Sequence, residues 1–336
     1  MKLALALALV GSATATLYSA KPETQKYLFE NFKNEHNKNY ATKEEEAHRF
    51  EVFVSNLKTI DERNELEKGT AVHGITKFAD LTKKEFKTSY LNYKPNPNRA
   101  NRTMATGIKP LLAGETASKD WTGVYTTPVK DQGYCGSCWA FSATEQIESD
   151  YWRTAGAEVI LSAQQVTSCT EYKFGAGGCN GGFTENAFDY ANDGLERDKN
   201  YPYTSGSAGV TGTCHSDSSK YVVKTTGYTT VSSSKAGESS MASYVKATGP
   251  LSVCVDASDW SSYTGGVLST CGTSVDHCVQ AVGIDTNVES EEHDGYWKVR
   301  NSWGTSWGES GFIRITYGAN TCAIASDANY VAAEAV

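Results

Sequence analysis

The first 134 residues of this 336-residue chain contain no cysteine, although nine follow. That absence excludes a disulfide framework at the front, so the front must be held by packing alone. Past the N-terminus no apolar run approaches the roughly 20 residues needed to span a bilayer, which excludes a helical integral membrane protein. Basic charge is not in excess: the formal net charge is −8, which argues against a nucleic-acid binder. No internal repeat or low-complexity tract interrupts the chain, so repeat architectures drop out. What remains is a globular chain long enough for one large or two moderate domains with a sizeable core.

The opening "MKLALALALVGSATATLYSA" sets Lys2 before an apolar run from Leu3 to Val10 and the small triplet Ala13, Thr14, Ala15. It reads as a cleaved secretory signal peptide, the run being too short for a membrane anchor. Export gives the cysteines their meaning, because an oxidising compartment favours disulfides over metal sites. Nine is odd, so at least one thiol is left over, reactive or simply buried. Charge is divided along the chain. Up to Gly114, 18 Lys+Arg stand against 13 Asp+Glu, net +5; from Glu115 onward 13 stand against 26, net −13. Either the two parts attract each other, in which case protonating carboxylates weakens the contact, or each carries only its own solvated surface charge.

Residues 22–90 read as helical. Thr42 with Glu45 makes a capping box, Phe50, Phe53, Leu57 and Ile60 recur at helical spacing, and Glu45 lies four before Arg49, where an ion pair supports a helix. "NYKPNPNRANRTMATGIKPLLAG" reads as an extended linker open to proteolysis, and it holds the sequon Asn101-Arg102-Thr103. Beyond it, Ala140, Ala143, Ile147 and Tyr151 share one helical face between Ser137 and Trp152. Gly-rich loops follow around Gly175 to Gly182. Past Pro250, "LSVCVDA", "CVQAVGI", "YWKVRNSW" and "FIRITY" have the β-branched, alternating character of strands. Helices precede strands, so the fold class is α+β with two subdomains.

Within "DQGYCGSCWAFS", Cys138 stands where a glycine-rich turn hands over to a helix. The unpaired amides and positive dipole end of a helix favour a thiolate there. Cys135 lacks that placement and suits a bridge. A thiolate nucleophile needs a proton carrier. His36, His48 and His73 precede the linker and His215 and His293 lie in loop-like surroundings, whereas His277 begins an apolar strand, as a core residue or as a base. An orienting group is also needed. "VRNSWGTSWGESGF" offers Asn301 beside Trp303 and Trp307, either as that group or as an ordinary packed turn.

Together these pieces resemble the papain-like cysteine proteases and, within them, the cathepsin L-like branch. "CGSCW" meets the C-G-[SA]-C-[WY] signature with His and Asn far downstream: His277 lies 139 residues after Cys138 and Asn301 lies 163 after it, past the insertion-like "TNVESEEHDG". "CNGG", "VDHCV" and "NSWG" follow in the family's order. Upstream, Glu45, Arg49, Phe53, Asn56, Ile60 and Asn64 fit the ERFNIN propeptide pattern. "GITKFAD" is similar to a second propeptide motif, with Thr76 where Asn is usual.

The resemblance implies a papain-like fold with a mainly helical subdomain, a β-barrel-like subdomain and a cleft between them, preceded by a helical inhibitory propeptide. It implies a signal peptide over 1–15, a propeptide domain over 25–85, a linker over 86–114 and a peptidase domain over 115–336. Cys138 becomes the nucleophile, His277 the general acid/base, Asn301 its orienter, and Gln132 the oxyanion donor beside the Cys138 N–H. The implied disulfides are Cys135 with Cys179, Cys169 with Cys214, and Cys271 with Cys322. Cys138, Cys254 and Cys278 are left as thiols, the last two expected as small hydrophobes in a substrate pocket, with an extra disulfide or redox switch as the alternative.

By the same alignment that pocket, which takes the second residue on the acyl side (P2), includes Phe183, Cys254, Val275 and Cys278. Gly181, Gly182, Asp276 and Trp303 complete the substrate-binding set. Asp327 stands where cathepsin B carries an acid, so it either faces the pocket and accepts a basic P2 residue or points to solvent. No paired-histidine segment resembles cathepsin B's occluding loop, which implies an endopeptidase. Its partners would be polypeptide substrates, its own propeptide and cystatin-type inhibitors; no metal or organic cofactor is needed, and the family is mostly monomeric. The destination would be a lysosome- or phagosome-like acidic compartment or the cell exterior, and Asn101 is the glycosylation candidate. The competing readings are a catalytically inactive secreted binding protein of the same fold and, for the propeptide alone, an inhibitor.

Overall fold

The front of the chain folds around phenylalanines. Phe29 and Phe32 on helix α1 (Pro22–Glu35) pack against Phe53, Leu57 and Ile60 on helix α2 (Lys43–Glu67), all of them buried. Burying each such side chain contributes about 1.5–3 kcal/mol, which replaces the missing disulfides. α2 begins at Thr42, whose side chain accepts from the Glu45 N–H, while the Glu45 carboxylate accepts from the Ala41 N–H. The computed structural model describes residues 18–98, 100, 102–173, 175–287 and 294–336. The signal peptide, Asn101 of the sequon, His293 and much of the insertion-like stretch before Tyr296 lie outside them.

Two expectations for the front are corrected. Arg49 does not pair with Glu45; it reaches across to Glu85 at 2.9 Å and to the Asp80 carbonyl at 3.1 Å. The reason is that Glu45 is already engaged at the N-cap and Arg49 faces helix α3 (Lys83–Tyr90). The front is also not wholly helical. Strand β1 (Ala71–His73) follows α2 and pairs antiparallel with a strand of the main body, Ala71 opposite Gly266.

The main body begins with strand β2 (Ser118–Asp120) and the long helix α4 (Cys138–Ala155). Then come α5 (Ala163–Cys169), α6 (Thr184–Tyr190), β3 (Leu195–Glu196), α7 (Ser205–Ala208), β4 (Tyr221–Ser232) and α8 (Glu238–Ala247). Strands β5 (Leu251–Val255), β6 (Tyr263–Leu268), β7 (His277–Asp285), β8 (Tyr296–Arg300), β9 (Phe312–Thr316) and β10 (Ala328–Ala335) complete it. The sheet runs β1-β6-β9-β8-β7-β5-β10-β4-β3, with β2 on β7. Pairing is antiparallel except between β6 and β9.

One core, with Trp260, Trp297, Trp303 and Trp307, fills the strand-rich part. A second packs Trp139, Ala143 and Ile147 of α4 against Leu195, Val223 and Val331. Between the two lies a small cluster of Tyr93, Cys138, Ala176, Phe183, Cys254 and Cys278. The α+β class is as expected, and Tyr93 of the linker joins that small cluster.

Candidate active site

The turn before α4 is shaped by glycine. At Gly136 a Cβ would fall 2.5 Å from the Cys179 carbonyl oxygen. Only a bare backbone lets the Cys135–Cys179 bridge lie this close. Cys138 is the first residue of α4 and is fully buried, so its sulfur sits at the helix's positive end.

His277 opens β7, and its Nε2 lies 2.8 Å from Asn301 Oδ1. The same oxygen accepts from the Ser302 N–H at 2.8 Å, which fixes the amide's orientation. Nε2 is therefore the donor, and the neutral ring carries its lone pair on Nδ1. Nδ1 is buried, and the Tyr90 carbonyl lies close enough to the imidazole to favour its protonated form. Trp303 lies against the imidazole, centroids 4.9 Å apart, and shields the Asn301 bond from water. Gln132, fully buried, is held by Ser302 Oγ donating to its Oε1 at 2.8 Å. Its Nε2 donates to the Cys135 carbonyl at 2.9 Å and the Tyr90 carbonyl at 3.3 Å.

The chain's own front segment runs through these groups. The Tyr93 N–H donates to the Asp276 carbonyl and the Lys94 N–H to the Gly182 carbonyl, each at 2.9 Å. At Gly181, where φ is +96°, a Cβ would fall 1.8 Å from the Asn92 carbonyl oxygen. Tyr93 fills the pocket of Phe183, Cys254 and Cys278, with Val275 beside it. Phe78, Phe86 and Tyr90 cover Trp303 edge-on.

The arrangement is a thiol, an imidazole and an amide donor covered by residues 90–94 of the chain's own front. The family model described as papain family cysteine protease matches residues 116–332. The chain belongs to the papain family.

A second model, the cathepsin propeptide inhibitor domain, matches residues 29–86 of the protease, so it is made as a zymogen. Digestive cysteine proteinase 1 of Homarus americanus is 38% identical over 314 residues, covering 90% of this chain and 93% of its own. Cathepsin L of Sarcophaga peregrina is 36% identical over 344 residues, covering 97% of each. Among solved structures, digestive procathepsin L 3 of Tenebrio molitor larval midgut superposes with a TM-score of 0.78 at 34% identity, covering 92% of this chain and 99% of its own. Among the described residues of the protease, no helix is long and apolar enough to cross a membrane.

Electrostatics in the plugged cleft disfavour the ion pair. Burial pushes the Cys138 thiol up to about 11, against the backbone N–H groups of Cys278, Asn92 and Trp139. Burial also pushes the His277 imidazole down to about 4, against its bond to Asn301. Both groups are therefore neutral at intermediate pH while the prosegment is seated.

The cysteines of the protease pair as Cys135–Cys179, Cys169–Cys214 and Cys271–Cys322, and Cys138 is a free thiol. Cys254 and Cys278, expected as thiols, instead form a fourth disulfide. The cause is register: β5 and β7 are antiparallel, and Cys254 stands directly opposite Cys278.

Asp327 does not point to solvent. It is fully buried, and its Oδ2 accepts from Tyr93 Oη at 2.7 Å. Sequence reasoning missed Arg102 and Glu185, which meet at this same place. Arg102 carried a signal only as the middle of a sequon, and Glu185 none.

Proposed function

We propose that the protease is an endopeptidase whose Cys138 thiolate attacks the peptide carbonyl carbon. The oxyanion is received by Gln132 Nε2 and the Cys138 N–H. Protonated His277 gives its proton to the departing amine as the C–N bond breaks, leaving an acyl thioester on Cys138. His277 then takes a proton from water, the hydroxide displaces sulfur, and the acid product leaves. Asn301 keeps Nε2 occupied so that Nδ1 faces the reaction.

The single observation behind this reading is the path of residues 90–94. Their backbone engages Gln132 Nε2 and the Asp276 and Gly182 carbonyls, the groups a substrate strand needs, while covering the thiol.

Acid releases this segment, and cleavage between Ala105 and Lys119 removes it for good, separating the propeptide domain (25–85) and linker from the peptidase domain (115–336). The P2 pocket takes hydrophobic residues and, through Asp327, arginine. The enzyme works as a monomer in an acidic compartment of the secretory pathway or outside the cell, is carried there by its signal peptide, bears sugar at Asn101 and is open to cystatin-type inhibitors.

The test is to express the zymogen, acidify it and assay a peptide substrate. Thiol-dependent hydrolysis that Cys138→Ala abolishes is expected. Undiminished hydrolysis by Cys138→Ala, or none by the processed wild type, contradicts the reading.

A further inference from the structure

Arg102, in the linker, is almost fully buried, and its guanidinium sits between two buried carboxylates of the peptidase domain. Its Nη2 lies 2.8 Å from Glu185 Oε1 and 3.0 Å from Asp327 Oδ2. Glu185 is on α6, two residues after the pocket wall Phe183, and Asp327 leads into β10. The linker is positioned to deliver this side chain. The Thr103 carbonyl accepts from the Thr230 N–H at 2.9 Å, and the Ala105 N–H donates to the Thr230 carbonyl at 2.8 Å.

The oxygen that Arg102 reaches, Asp327 Oδ2, is also the one that Tyr93 Oη reaches through the P2 pocket. The pocket is therefore continuous from the nucleophile to the carboxylate pair.

We propose that Glu185 is a second specificity-determining carboxylate of the P2 pocket, which with Asp327 forms a two-carboxylate floor that binds the guanidinium of a basic P2 residue, Arg102 being the chain's own occupant of that floor in the zymogen. The inference rests on the proposed peptidase activity and on the Asp327 reading of P2 preference, and it deepens the latter.

Chemistry and charge both support it. A guanidinium has five N–H donors in a fixed fork and matches carboxylate oxygens on two sides. Two carboxylates this deeply buried are costly without a cation between them. Cleavage of the linker takes Arg102 away but leaves the rest: Asn329 Nδ2 still donates to Asp327 Oδ1 at 2.8 Å. A P2 arginine entering along the path of Tyr93 restores the lost donor.

Glu185 is held up at about 7, by burial first and then by Asp327, with Arg102 opposing. The groups facing it are Asp327, Arg102 and, from β4, Tyr228. Losing Arg102 removes the opposing influence and pushes the Glu185 carboxyl further up, and an entering P2 guanidinium brings it back down.

The experiment uses processed enzyme, counted by active-site titration, and two peptide substrates that differ only in arginine or phenylalanine at P2. The readout is the ratio of their kcat/KM values in wild type, Glu185→Gln and Asp327→Asn. Wild type is expected to cleave both. Each variant is expected to lower the Arg/Phe ratio about tenfold to a hundredfold, the size of a lost charge-assisted hydrogen bond. An unchanged ratio in Glu185→Gln beside a collapsed one in Asp327→Asn overturns the role of Glu185 and leaves the Asp327 reading standing. An unchanged ratio in both, or no cleavage of the P2-arginine substrate by wild type, overturns both together. If Glu185→Gln does not fold, Glu185→Asp keeps the charge but shortens its reach, and an unchanged ratio there overturns the proposal equally.

Discussion

At the scale of single residues, catalysis is expected to depend on Gln132 beyond the nucleophile itself, because its Nε2 is held in place before any substrate arrives by bonds at both ends of the amide. Removing one oxyanion donor costs about 2.7–4 kcal/mol of transition-state stabilisation. Gln132→Ala should therefore lower kcat by roughly a hundredfold to a thousandfold with little change in KM, as steady-state kinetics on the processed enzyme will read. Cys138, His277, Asn301 and Gln132 were legible in the sequence because each falls in a short motif with fixed spacing. The Cys254–Cys278 bridge was not, since it depends on the register of two strands. Arg102 and Glu185 were not either: a carboxylate on a short helix reads as a solvated face until the fold brings a linker guanidinium to it from 83 positions away.

At the scale of elements, α2 and β1 fasten the front to the main body, and two of their groups should make that fastening acid-sensitive. Glu67, at the end of α2, accepts from the Ser269 N–H and hydroxyl at 2.9 and 2.8 Å and from the Thr270 hydroxyl. Burial opposes its ionisation, but these bonds together hold its carboxyl below the ordinary 4.5. Its contribution to docking is present above that value and is lost as pH falls through the depressed one. His73 on β1 bonds Ser262 Oγ through Nδ1 at 2.9 Å. Burial, then Arg63, push its imidazole from 6.5 down to about 4. A depressed histidine favours the docked state above 6.5 and loses that favour as pH falls through about 4. Replacing His73 by Gln should move the acid midpoint of self-processing to lower pH, measured by gel-resolved processing across a pH series; an unmoved midpoint would remove His73 from the account. Helices α2 and α4 were visible as periodic runs, but β1 was not, because three residues become a strand only by pairing with β6.

At the scale of the whole molecule, the division of charge is matched by ion pairs across the boundary. Among the described residues, every ion pair between the front and the peptidase domain puts the cation on the front: Arg63 with Asp259, Lys77 with Asp131, and Arg102 with Glu185 and Asp327. Salt screens the exposed pairs, and acid protonates the carboxylates. Self-processing should accordingly be faster near roughly pH 4–5 and at higher ionic strength, followed as loss of the zymogen band; indifference to both would refute the electrostatic part. The α+β class and the front-to-back order were readable from periodicity and motif order. The path of the linker over α6 to Thr230 was not, since a segment poor in regular structure takes its shape from the surface beneath it.

All three scales meet in one claim: the prosegment keeps Cys138 buried and neutral, and its departure creates the nucleophile. Alkylation of Cys138 by iodoacetamide, timed by mass spectrometry across pH in intact zymogen and in processed enzyme, tests it most directly. The zymogen thiol should stay inert until pH approaches about 11, while the processed enzyme should react quickly in acidic and neutral solution. Equal rates in the two forms at neutral pH would contradict the account.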